Sequence, residues 1–514
     1  MRFHSILFPS ARDEPDGIPE APSFFTDLNL DQIIDAIVSA KEAYGLKPFF
    51  YTHLKTIEAI RYRHAVMRDV EKTRIYALIA EFAATMDAVR QWLALAKKSS
   101  YTYERARWRV DAADLYCEAA RRLVEGLGDS DVESDGLIAL RDHLLAYLEA
   151  DGFRALSRDA ASLLTDLAQI DYQVLVGSGT VTVRNGNHEG DLVTSVQATF
   201  ERFRQGATKS YLLKFAQRTS MNHIEAKVLD FVALLHPDVF SQLERFGETY
   251  ESFIDESIAR FEREIQFYVA CTDYHRAFER AGLPTCYPLV DANGKEVRAE
   301  DVFDLALAQR LVASDARVVR NDFSLSGPER VFVVSGPNQG GKTTFARTFG
   351  QIHYLAALGC RVAGRRAATF LFDAIFTHFE REEDPSALRG KLEDDVIRIH
   401  EILERATPNS IIILNEIFAS TTAYDASTLA RRIMSKILEL DTLGVCVTFI
   451  DELASLSEKT VSIVSLVNPE NPDVRTYKLA RRPADGLAYA VSLAEKYGLT
   501  YDRLHRRLTI VERP

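Results

Sequence analysis

Arg330-Val-Phe-Val-Val-Ser-Gly336-Pro-Asn-Gln-Gly-Gly341-Lys342-Thr343-Thr344 reads as an apolar strand feeding a glycine-rich turn that opens a helix over Phe345 to Ala357. Gly336, Gly341, Lys342 and Thr343 satisfy G-x-x-x-x-G-K-[ST], the spacing of a phosphate-binding P-loop. Glycines let backbone N–H groups close on a polyphosphate that also meets the positive end of the following helix. Lys342 then neutralises β/γ-phosphate charge and Thr343 contributes a hydroxyl to Mg²⁺. Gly336, Pro337, Asn338, Gln339, Gly340, Gly341 and Thr344 are the remaining candidates to line the phosphate site. A glycine-rich turn without a ligand is the competing reading, and the strand before it and the helix after it speak against that.

Working outward, a second apolar run, Ile411-Ile-Ile-Leu-Asn415-Glu416, ends in polar residues. Such a strand places Glu416 beside the γ-phosphate as a general base. Asn415 stands where a strand of this kind normally carries Asp; its amide can orient a water on Mg²⁺ but brings no negative charge, so slow turnover is expected. Apolar runs at Val331–Val334, Ile411–Leu414, Val445–Ile450 and Val461–Val467 alternate with helical segments, the pattern of a largely parallel α/β sheet.

The 514 residues leave room for several cores, and the 47% hydrophobic content contains no run as long as a membrane span. The start, Met1-Arg-Phe-His, lacks a signal-peptide pattern, so a cytoplasmic location without membrane attachment is expected. Cys117, Cys271, Cys286, Cys360 and Cys446 form no C-x-x-C pair and read as reduced, mostly buried thiols. A net charge of −12 confines any nucleic-acid contact to a local patch. The best one is Arg202, Arg204, Lys209, Lys214 and Arg218 against the single acid Glu201, with a solvated charged face as its alternative.

Residues 28–283 read as helical, with three- and four-residue spacing in Ile33, Ile34, Ile37 and Val38 and again in Ile57, Ile60 and Val66. Phe49, Phe50, Tyr51 and Tyr62 are assigned to core rather than to a base-stacking platform. Alternation and β-branched residues over 172–186 predict a short hairpin around Gly177-Ser-Gly179. From 238 to 282 the apolar period continues without proline, which predicts one long return helix of roughly 65 Å. The expected division is an N-terminal segment 1–27, a helical domain 28–283 and an α/β domain 284–514.

Gly336-Pro-Asn-Gln-Gly-Gly-Lys-Thr-Thr, Ala406-Thr-Pro-Asn-Ser410 leading into Asn415-Glu416-Ile417, Thr421-Thr-Ala-Tyr-Asp425, Thr476-Tyr-Lys-Leu479 and Gly486-Leu-Ala-Tyr-Ala-Val491 together resemble the MutS family of DNA-repair ATPases. The resemblance covers about Asp301 to the C-terminus; the helices before it match the family's core and lever domains in architecture only. It implies a multidomain protein with an all-α core and lever domain carrying a hairpin insertion, then an ABC-type P-loop NTPase domain. It further implies a homodimer in which each ATP is sandwiched by the partner's signature segment and lever helices transmit the change to DNA, with repair proteins as further partners.

Several positions depart from that family's pattern. The signature segment aligns with Arg389-Gly390-Lys391-Leu392, where Ser-Thr is usual. The switch pair reads Thr448-Phe449 in place of Thr-His, with Asp451 and Glu452 nearby. The adenine-facing aromatic is replaced by Val318, in Val318-Val-Arg-Asn-Asp322. No Phe-x-Glu wedge domain fits before Leu28 and little chain follows the ATPase module, so branched or otherwise structured DNA is expected in place of direct mismatch reading. The resulting expectation is a DNA-binding ATPase using ATP and Mg²⁺, with Lys342 and Glu416 catalytic, Val318 at the base, and Thr343 and Asn415 (through water) at the metal. Two alternatives stand beside it: a nucleotide-gated binding module that scarcely hydrolyses ATP, and an ATPase acting on RNA, a ribosome or a protein partner.

Overall fold

The computed structural model describes residues 3–177, 180–186, 221–380, 390–418, 421–468 and 475–484, with 499, 501, 504 and 505. In chain order the longer elements begin with α1 (Leu30–Val38), α2 (Ile57–Glu71), α3 (Thr73–Lys98), α4 (Thr102–Gly128), α5 (Asp135–Glu149) and α6 (Asp151–Ala168). The hairpin β1 (Tyr172–Gly177) and β2 (Thr180–Asn185) follows, then α7 (His223–Leu235), α8 (Pro237–Thr249) and α9 (Glu256–Arg280). The remainder alternates: β3 (Thr285–Cys286), β4 (Leu289–Asp291), β5 (Val297–Val302), α10 (Leu305–Ala313), β6 (Asn321–Leu325), β7 (Val331–Ser335), α11 (Lys342–Ala357), β8 (Val362–Ala363), β9 (Arg366–Phe370) and β10 (Ile375–Phe379). It ends with α12 (Lys391–Arg405), β11 (Ile411–Asn415), α13 (Ala423–Glu439), β12 (Leu443–Val447), β13 (Thr460–Val467) and β14 (Arg475–Arg481).

These elements form two compact units that are discontinuous in sequence: residues 1–3, 71–133 and 137–262 in one, and 4–70, 134–136 and 263–514 in the other. The first is helical. α3 and α4 pack along one another, with the indoles of Trp92 and Trp108 meeting at 6.3 Å and Phe82 against Phe261 at 5.6 Å. The hairpin is antiparallel, pairing Tyr172 with Asn185 and Leu175 with Thr182, as its alternation predicts.

The single helix expected over 238–282 is two helices. Tyr250 leaves the helical region (φ −112°, ψ 45°) and its hydroxyl donates to Asp159. Phe253 turns inward against the Tyr116 ring, and Asp255 accepts the Ser257 N–H at 2.8 Å to cap the start of α9. Tertiary contacts of the intervening residues thus override an apolar period whose one turn signal is Gly247.

The second unit holds a six-stranded sheet in the order β10-β11-β12-β7-β13-β14, parallel throughout except for the edge strand β14. All five residues of β7, β11 and β12 are buried, as unbroken apolar runs require when both faces of a parallel sheet are covered. A four-stranded sheet, β4-β9-β5-β6, lies in the same unit, and Phe323 of β6, Phe332 of β7, and Phe345 and Phe349 of α11 interlock ring on ring.

Residues 4–70, which the sequence reading divided between the N-terminal segment and the helical domain, are part of this core. Arg347 and Gln351 of α11 donate to the carbonyls of Asp27 and Leu28, and Tyr354 to that of Phe50. Gly350 is required there: a Cβ on it would lie 2.6 Å from Leu28 Cδ1. Phe50 is fully buried, in keeping with its assignment to core. All five cysteines are free and four are buried, and among the described residues no helix is long and apolar enough to cross a membrane.

Candidate nucleotide site

The turn between β7 and α11 is built by backbone conformations that glycine favours, Gly336 at φ 117° and Gly341 at φ 93°, with Gln339 also left-handed at φ 60°. Ser465 of β13 supports it from beneath. Its hydroxyl donates to the Gly340 carbonyl at 2.6 Å, and its Cβ would stand only 3.1 Å from any Cβ placed on Gly336.

Lys342, the first residue of α11, folds back over this turn and is buried. Its ammonium donates to the carbonyls of Gly336 at 3.0 Å and Pro337 at 3.2 Å and reaches Asn338 Oδ1 at 3.5 Å. Burial lowers its pKa, the Glu416 carboxylate opposes that, and the Arg475 charge adds to it.

The parallel pairing of β10, β11, β12 and β7 brings the ends of β7 and β11 to the same edge of the sheet. Thr343 Oγ1 donates to Asn415 Oδ1 at 3.0 Å, and Glu416 Oε1 lies 3.9 Å from Lys342 Nζ. Glu416 is held at φ 55° with its N–H bonded to the Val447 carbonyl, and Phe418 is at φ 61°. Left-handed backbone at non-glycine residues costs on the order of 1–3 kcal/mol, and here it aims Glu416 back at the glycine-rich turn.

β12 ends at Val447, earlier than the Ile450 that its apolar run suggests. Thr448 is buried, its N–H bonded to the Val334 carbonyl and its hydroxyl accepting from the Ile450 N–H. Phe449 therefore projects from a turn, and the Lys342 ammonium lies 4.3 Å from its ring centroid. Of the two acids nearby, Glu452 is paired with Arg431.

Val318 lines a cavity of about 300 Å³ together with Leu307, Gly341, Thr344, Phe345 and Tyr477. Tyr477 is the residue the sequence reading missed. It lies over Gly341, 3.9 Å from where a Cβ would stand, and is half exposed at φ 57°. Asn321 holds it there, donating to the Tyr477 carbonyl at 3.1 Å and accepting the Leu479 N–H at 2.9 Å. Two residues earlier on β14, Arg475 donates to the Asn338 carbonyl at 3.2 Å. The signal for Tyr477 was the aromatic in Thr476-Tyr-Lys, whose place over the glycine turn depends on the β13–β14 pairing and its bulge.

Gly390 precedes α12 in extended backbone, and Lys391 is engaged by Glu380 at 2.5 Å. Arg389 and the basic candidates Arg202, Arg204, Lys209, Lys214 and Arg218 lie outside the described residues. Among the described residues no cluster of three His, Cys, Asp or Glu is placed to hold a metal ion. What the site offers is three oxygen donors, Thr343 Oγ1, Asn415 Oδ1 and the Glu416 carboxylate, grouped beside a buried cation.

Residues 332–501 match the family model for MutS domain V. A DNA mismatch repair protein MutS from Halalkalibacterium halodurans is 23% identical over 419 residues, 73% of this chain and 47% of that protein. Another, from Shouchella clausii, is 31% identical over 188 residues, 35% of this chain and 21% of the relative. The Endonuclease MutS2 of Thermus thermophilus is 27% identical over 195 residues, 37% of this chain and 25% of its own length. The matched region thus spans less than half the length of each of these relatives.

Proposed function

We propose that this chain, a member of the MutS family, is an ATPase of ABC type that couples ATP binding and hydrolysis to the hold of a homodimer on DNA in repair or recombination. One observation carries the reading: two parallel strands separated in sequence bring Lys342 and Thr343 against Glu416 and Asn415, at 3.9 and 3.0 Å, around a glycine-rich turn. A phosphate chain lying in that turn meets backbone N–H groups, the N-terminus of α11 and the Lys342 ammonium. Glu416 accepts the proton of the attacking water.

Thr343 Oγ1 and Asn415 Oδ1 are hard oxygen donors of the kind Mg²⁺ takes, and they fit the ion through Thr343 directly and Asn415 by way of water. The ion, when bound, neutralises charge on the transferred phosphoryl group. The base lies in the cavity between Val318 and Tyr477. The helices of the first unit act as core and lever, and Arg202, Arg204, Lys209, Lys214 and Arg218 contact DNA phosphates.

The test is Mg²⁺-dependent hydrolysis by the purified chain, alone and with single-stranded, duplex, mismatched and four-way-junction DNA. Lys342→Ala is expected to abolish nucleotide binding. Glu416→Gln retains binding and slows turnover by on the order of 10²–10⁴. Hydrolysis indifferent to every DNA would remove the coupling and direct the search to RNA or protein partners.

A second reading, a nucleotide-gated module with little hydrolysis, is favoured by the neutral Asn415 and by the Phe449 ring on Lys342. It is the better one if the unmodified chain binds ATP and hydrolyses it no faster than Glu416→Gln.

A further inference from the structure

We infer that Arg475 is a positioning residue of this site: by holding the Asn338 carbonyl it fixes the peptide plane between Asn338 and Gln339, and so adds the Gln339 N–H to the donors that meet a phosphate chain. This rests on the nucleotide-site reading above and deepens it, because part of the cradle then depends on a side chain 137 residues further along the chain.

The argument begins with where the carbonyls of the turn go. A phosphate is drawn to N–H groups and repelled by carbonyl oxygens, so a turn that binds one has its carbonyls engaged elsewhere. Lys342 takes those of Gly336 and Pro337, and the Ser465 hydroxyl takes that of Gly340. The Asn338 carbonyl goes to Arg475 Nε at 3.2 Å.

That bond fixes more than an oxygen. The peptide is trans, so the Gln339 N–H points opposite to the Asn338 carbonyl and away from Arg475. Among the described residues this N–H has no acceptor, and those of Lys342, Thr343 and Thr344 open α11 without partners inside the helix. Gln339 is held at φ 60°, and a left-handed residue inside a turn is what brings successive N–H groups to one concave side. Glycine takes that conformation freely and glutamine does not. Turning the peptide over relieves the strain at Gln339 and puts a carbonyl where the N–H now stands. Arg475 opposes the flip, since the flipped peptide forfeits a charge-assisted hydrogen bond.

The test is binding of ADP and of inorganic pyrophosphate, which carries no base, to the full chain in Mg²⁺, read by displacement of a fluorescent ADP analogue. Arg475→Ala and Arg475→Met are expected to weaken both ligands by the same factor, roughly 10- to 150-fold for one charge-assisted hydrogen bond. Arg475→Lys, whose ammonium can donate to the same carbonyl, recovers most of that loss. Adding Gln339→Gly to Arg475→Ala recovers roughly threefold or more, because glycine holds φ 60° without the strain that drives the flip. Weakened ADP with unchanged pyrophosphate means that Arg475 acts by holding Tyr477 two residues along its strand, and overturns the inference. Equal weakening that Gln339→Gly does not relieve means that the guanidinium itself touches phosphate, and overturns it too, as does affinity unchanged in both Arg475→Ala and Arg475→Met. The bond to Asn338 is exposed, so thermal unfolding of the variants should coincide with that of the unmodified chain. Arg475→Met keeps the apolar stem and carries the test should alanine disturb β14. Failure of the unmodified chain to bind either ligand overturns the site reading itself, and this inference with it.

Discussion

Replacing Tyr477 by alanine removes an aromatic face from the cavity beside Gly341 while leaving the glycine-rich turn in place. Stacking on a nucleobase contributes on the order of 1–3 kcal/mol, so a loss of about five- to 150-fold in affinity is expected, equal for ADP and ATP because they share the base. Tyr477→Phe should retain most of the affinity. Fluorescence titration checks both, and undiminished binding by Tyr477→Ala would take the base out of this cavity. The contrast with Lys342 shows what one chain position can disclose. Lys342, Thr343 and Glu416 carry their geometry with them, since a glycine turn and a strand end set the side chains within a few residues. Tyr477 is brought over Gly341 by a bulged antiparallel pairing and by Asn321, more than a hundred residues away in sequence. Val318 gave no hint that a tyrosine of β14 would line the same cavity.

At the scale of elements, the turn from α13 to β12 is held by one carboxylate. Asp441, at φ 60°, accepts from Lys295 at 3.2 Å, Arg330 at 3.1 Å and Lys459 at 2.8 Å. Burial works against its ionisation, but the bonds from Lys459, Arg330 and Lys295 outweigh that and hold its pKa at about 2, below the ordinary 3.8. A folded pKa below the unfolded one means stability that is fully present above pH 3.8 and lost as the pH falls through about 2. Allowing for the partial exposure of the group, Asp441→Asn should cost about 1 kcal/mol at pH 7. Urea unfolding of both proteins at pH 7 and near pH 2 tests this: the gap between them should close in acid. Elements whose burial is uniform were legible, as β7 and β11 show within a residue at their ends. The break between α8 and α9 was not, because Phe253 and Asp255 interrupt the helix through Tyr116 and Ser257, partners that periodicity does not name.

For the molecule as a whole, the second unit buries several neutral histidines. Burial lowers His53, His64 and His353 to about 4 and His275 to about 3, from an ordinary 6.5. The unfolded chain therefore binds more protons than the folded one between about pH 6.5 and 4, and stability must fall as the pH falls through that window. Circular dichroism should show the melting midpoint of this unit falling as the pH is lowered from about 6.5 to 4; a midpoint constant from pH 7 to pH 4.5 would contradict it. The same unit was the harder to delimit from sequence, because a linear boundary at 284 cannot express a core assembled from both ends of the chain. Arg63 is fully buried with its guanidinium between the rings of Phe8 and Phe267, donating to the carbonyls of Leu7 and Leu358. Tyr268 donates to Ile6, and the Leu54 N–H to Ala357. During synthesis, then, residues 4–70 leave the ribosome without the surface they are shaped to meet and must wait for residues 71–262 to emerge before it arrives. A fragment cut to begin at 284 would expose the greasy flank of α11 where Leu28 and Phe50 belong, and would be a client for chaperones.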